Sequence, residues 1–115
     1  MIKIIFAFIV ATVWLDEGLA SLEGSPHGHE SYCPMAFQKA PPFHFDELEK
    51  LYHKIPAADV YSYTAVRFII DKFGFEKLNQ LIKSPMGFEK ILLMTRNEFN
   101  KDWNGFIENR YKKEG

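Results

Sequence analysis

The chain has 115 residues and a formal net charge of −1; 47% of its residues are hydrophobic and 16% aromatic. That is enough apolar material for one small globular domain with its own core, and too much for a disordered chain. The near-neutral balance lacks the basic stripe that nucleic-acid binding requires, and the single cysteine, Cys33, excludes an internal disulfide.

The first element, residues 1–24, is apolar and then helical in character. Met1-Ile2-Lys3 leads into a mostly apolar run from Ile4 to Leu15. With Gly18-Leu19-Ala20 before Ser21, residues 1–20 imitate a secretory signal or a membrane anchor, and so export or membrane association. The run is shorter than the roughly 20 residues of a membrane span. Asp16 and Glu17 also stand where a signal peptide carries small neutral residues. The other reading of the same run is a buried helix or strand.

Residues 25–43 read as a linker rich in Ser, Pro, Gly and His. Prolines at 26, 34, 41 and 42 exclude a continuous helix or central strand. His27, His29, Glu30 and Cys33 gather metal-capable groups here. His27 and His29 are only two positions apart in a Gly/Pro loop, however, and lack the one-turn spacing of a helical ligand pair. A polar loop is the plainer reading.

Residues 44–115 read as a helical domain, so the fold class is all-α, a bundle of four to six short helices. Asp46 to Lys54 carries Leu48, Leu51 and Tyr52 on one face. Ala57 to Phe73 is the longest helix. Val60, Tyr63, Val66, Ile69, Ile70 and Phe73 follow helical spacing there, and Tyr61, Ala65 and Phe68 add a second strip, the mark of a central helix. Gly74 suits its C-terminal cap. Phe75 to Lys83 repeats the pattern through Leu78, Leu81 and Ile82. Ser84-Pro85 resembles an N-cap followed by proline at the first helical position, and Phe88, Ile91 and Leu92 line the next helix. Thr95-Arg96-Asn97-Glu98 has the form of a capping box. Phe99, Trp103, Phe106 and Ile107 follow it at helical spacing. His44 and His53 stand alone and read as structural or solvent-facing.

Trp14-Leu15-Asp16-Glu17-Gly18-Leu19-Ala20 resembles the W-L-x-E-G-x-A segment of peptidase-MA-like gluzincins, a family of zinc metallopeptidases. The later chain is similar to the same family. Tyr63 to Gly74 looks like its Y-x-x-V-x-Y-L-x-x-x-Y-G helix, Phe75-Glu76-Lys77-Leu78 like its next helix, and the capped segment Thr95 to Trp103 like its closing helix. The resemblance covers about residues 14–111 and implies that Glu17 corresponds to the third zinc ligand. The intact family hydrolyses peptide or protein substrates with a zinc-bound water. Tyr63 is a weak candidate for the oxyanion-stabilising aromatic of such sites, and core is the plainer reading of it.

The family's two histidine ligands and its base belong to an H-E-x-x-H helix upstream of this segment. Only thirteen residues precede Trp14, and none is a histidine. Catalytic zinc needs three protein ligands and an open position. The expectation is therefore an incomplete gluzincin domain that binds no zinc and is inactive as this chain. The alternative is a small exported or membrane-tethered helical binding protein in which W-L-D-E-G-L-A is coincidence.

Overall fold

Six α-helices follow one another in the computed structural model, which describes residues 2–24 (side chains from 13 onward), 33, 44–50, 52–54 and 58–112. They are α1 (Ile2–Gly24), α2 (Phe45–Lys50), α3 (Ala58–Phe73), α4 (Phe75–Lys83), α5 (Phe88–Leu92) and α6 (Arg96–Ile107). Short 3₁₀ turns at Tyr52–Lys54 and Pro85–Gly87 and a π-helical turn at Glu108–Lys112 complete the described chain. The described residues are all-helical, as the sequence implies. The 25–43 linker, apart from Cys33, lies outside them.

α3 is central because it is apolar on most sides. Val60, Tyr61, Tyr63, Ala65, Val66, Phe68 and Ile69 are all buried, together with Ser62 and Thr64. The interior Thr64 is satisfied locally. Its hydroxyl donates to the Tyr61 carbonyl at 2.7 Å and accepts from Trp103 Nε1 at 3.1 Å. That pairing lets the indole of α6 enter the core without an unmet N–H.

A cluster of rings joins α2, α3, α5 and α6. Phe45 lies edge-on to Phe99 at 4.7 Å and to Trp103 at 5.4 Å, and stacks on Phe88 at 5.5 Å. Phe88 meets Phe99 at 4.8 Å, and Phe68 meets Phe99 at 5.3 Å. Edge-to-face contacts of this kind add to the stabilisation that burial alone supplies.

The helix ends follow local chemistry with two departures. At α6 the capping box forms: Glu98 N–H donates to Thr95 Oγ1 at 3.1 Å, and Thr95 N–H donates to Glu98 Oε1 at 2.9 Å. Gly74 ends α3 with φ 90°, its N–H donating to the Ile70 carbonyl at 3.0 Å. Such a φ favours glycine. The first departure is Ser84, whose side chain caps nothing; its carbonyl instead accepts the Gly87 N–H at 3.0 Å. The second lies after α2, where Tyr52–Lys54 form a 3₁₀ turn instead of continuing the α-helix expected to reach Lys54. Several residues expected on apolar faces are less buried than the core, Tyr52, Ile70 and Phe73 among them. Ile91 and Phe106 are half-buried, and Ile82 is exposed.

Candidate functional site

The segment that carries the family resemblance lies in the C-terminal half of α1, and the spacing of its residues decides what each one meets. Trp14, Leu15 and Gly18 fall on one helical face and are buried; Asp16, Glu17 and Ala20 fall on the other and are exposed. α1 packs along α3 more extensively than any other pair of helices in the fold.

Gly18 makes that approach feasible. A Cβ there would lie 2.6 Å from the Ser62 carbonyl oxygen and 2.5 Å from Val66 Cγ2. The glycine therefore admits a close helix crossing, whereas Ala20 faces solvent and takes no part in it.

Trp14 anchors the segment. Its indole lies edge-on to Phe45 at 5.0 Å and to Phe88 at 6.3 Å, and its Nε1–H donates to Glu49 Oε2 at 3.0 Å. Glu49 also takes both arms of the Arg96 guanidinium, Nη1 on Oε1 and Nη2 on Oε2, the latter at 3.4 Å. Arg96 reaches Asp46 Oδ1 at 3.3 Å and lies 4.7 Å over the Phe88 ring. Burial pushes the Glu49 carboxyl above its usual range, and Asp46 adds to that. Arg96 and Trp14 oppose the rise without cancelling it. The sequence gives no signal for this cluster, because Glu49 and Arg96 are 47 positions apart.

Glu17 is exposed on α1. Its charge is felt at the Tyr52 phenol. Burial raises the Tyr52 phenol above its ordinary range, and the Glu17 and Asp59 carboxylates add to that rise. The Ser62 hydroxyl works against it. Ser62 Oγ is itself fully buried and meets no partner in hydrogen-bond geometry among the described residues.

The other expected site residues are dispersed. Tyr63 is 1% exposed and belongs to the core. Cys33 is buried. His44 is structural: Nδ1 accepts the Asp46 N–H at 3.1 Å at the start of α2, and Nε2 pairs with Asn97 Oδ1 at 2.9 Å. His27, His29, Glu30 and the His53 side chain lie outside the described residues. Among the described residues, no three His, Cys, Asp or Glu side chains converge on a metal-sized site. No described helix is long and apolar enough to cross a membrane. Comparison with family models, curated proteins and solved structures returns no match.

Proposed function

We propose that this chain is the third-ligand half of a peptidase-MA-like gluzincin domain and has no peptidase activity by itself. The observation that carries the reading is the division of labour within Trp14–Ala20. The large apolar residues lock α1 into the core, the glycine admits a backbone at the crossing, and Glu17 is left exposed beside them. A third-ligand helix needs this arrangement, because its carboxylate must be held rigidly and yet remain free for a metal brought by another element. One carboxylate cannot hold a catalytic zinc, so the chain lacks the Lewis acid and the activated water that the family's hydrolysis requires.

The rival, an exported or tethered binding protein whose residues 1–20 serve as signal or anchor, treats Trp14, Leu15 and Gly18 as separable from the domain. Their burial against α2, α3 and α5 favours the first reading. The DNA directly upstream of Met1 discriminates between the two. An H-E-x-x-H coding run, in frame or shifted, is expected there, and its absence overturns the gluzincin reading.

A further inference from the structure

Among the described side chains, α4 carries an apolar pattern that runs past the core. Leu78 and Leu81 are buried, whereas Phe75 and Ile82 are 63% and 43% exposed. Phe75 and Ile82 are seven positions apart, two helical turns, so they share one stripe along the nine-residue helix, with the exposed Asn79 between them. Glu76 and Lys83 are also seven apart and flank that stripe on one side. Both are exposed, and neither takes part in an ion pair among the described residues. An acid thus stands at the N-terminal end of the flank and a base at its C-terminal end.

This pattern is complementary to itself when inverted. A two-fold axis across the middle of the helix brings residue 75 of one copy to residue 82 of the other, twice over, and sets 76 level with 81, within reach of the long Lys83 side chain on the same flank. We propose that α4 is a self-association surface on which two copies of this chain pair antiparallel, Phe75 against Ile82 and Glu76 beside Lys83. The opposed helix dipoles favour the same orientation. A parallel arrangement would put the two charged flanks on opposite sides of the seam and leave Glu76 and Lys83 unpaired. A stable interface buries about 800 Å² on each partner. Nine residues supply only part of that, so the pairing belongs to the weak, transient class, with a dissociation constant on the order of 0.1 mM.

Sedimentation equilibrium of the full chain, over protein concentrations spanning that value, tests the proposal. A monomer–dimer equilibrium is expected that weakens with added salt. Ile82→Glu should weaken it at least tenfold, and Lys83→Glu should weaken it by placing acid beside acid. Combining Glu76→Lys with Lys83→Glu should restore it. All three positions face solvent, so circular dichroism should show each variant folded. A wild type that stays monomeric throughout, a dimer indifferent to Ile82→Glu, or a double variant no better than Lys83→Glu overturns the proposal.

Discussion

A methyl group at position 18 would meet the Ser62 carbonyl at 2.6 Å, and a backbone oxygen cannot rotate aside as a side chain can. Gly18→Ala must therefore spread α1 from α3, at a cost of about 1–3 kcal/mol by urea unfolding. A variant as stable as the wild type would mean that the two helices do not cross there. Leu93 presents the opposite case. It closes α5 in the left-handed region at φ 56°, and its side chain is 81% exposed. A left-handed L-residue costs roughly 1–2 kcal/mol, and glycine has no such penalty but loses more chain entropy on folding. Leu93→Gly should thus raise stability by up to about 1 kcal/mol, read as a higher thermal midpoint. Trp103 fills the core and pairs with Thr64, so Trp103→Ala should cost about 3–5 kcal/mol.

Several helix starts and stops with local determinants were legible in the sequence, although the Ser84-Pro85 cap was not formed as expected. The Thr95–Glu98 box, the end of α3 at Gly74 and the span of α4 all depend on residues within a turn or two of each other. The Trp14–Glu49–Arg96 cluster was not legible, because its members come from three helices and are brought together only by packing. Ile82 misled for a related reason: helical spacing marks a face as apolar without saying whether a neighbour covers it. Two carboxylates at these helix junctions should respond to acid in opposite ways. The folded pKa of Glu98 is lowered by its hydrogen bonds to Thr95, so its contribution is present above the unfolded value near 4.5 and is lost as pH falls through the folded value. Burial raises that of Glu49, so the folded state takes up a proton before the unfolded chain does. Its contribution to stability therefore grows as pH falls through the folded value, and levels off below the unfolded one. Unfolding free energies of Glu49→Gln and Glu98→Gln, compared with wild type from neutral to acidic pH, should diverge from it with opposite slopes. Parallel curves would refute the assignment of these two environments.

At the scale of the whole molecule, the metal question is one of convergence. Glu17 is the one described residue that the family resemblance assigns to zinc, and it is exposed on α1. His27 and His29 would have to return to it through a Pro- and Gly-rich stretch, at the entropic cost of closing that loop. Isothermal titration of the chain with zinc should show no stoichiometric binding tighter than about 1 μM. Tight binding that vanishes in Glu17→Gln would mean that other side chains complete a site around it, and would overturn the incomplete-domain reading.

The ring contact between Trp14 and Phe88 spans most of the chain's length, and this bears on how the protein is made. A ribosome releases the N-terminus first, at about 5–20 residues per second. The apolar face of the first helix must then wait on the order of several seconds before the last of the helices that cover its indole has been synthesised. During that interval the newest protein in the cell would display the same oily surface that a chaperone or a targeting factor binds.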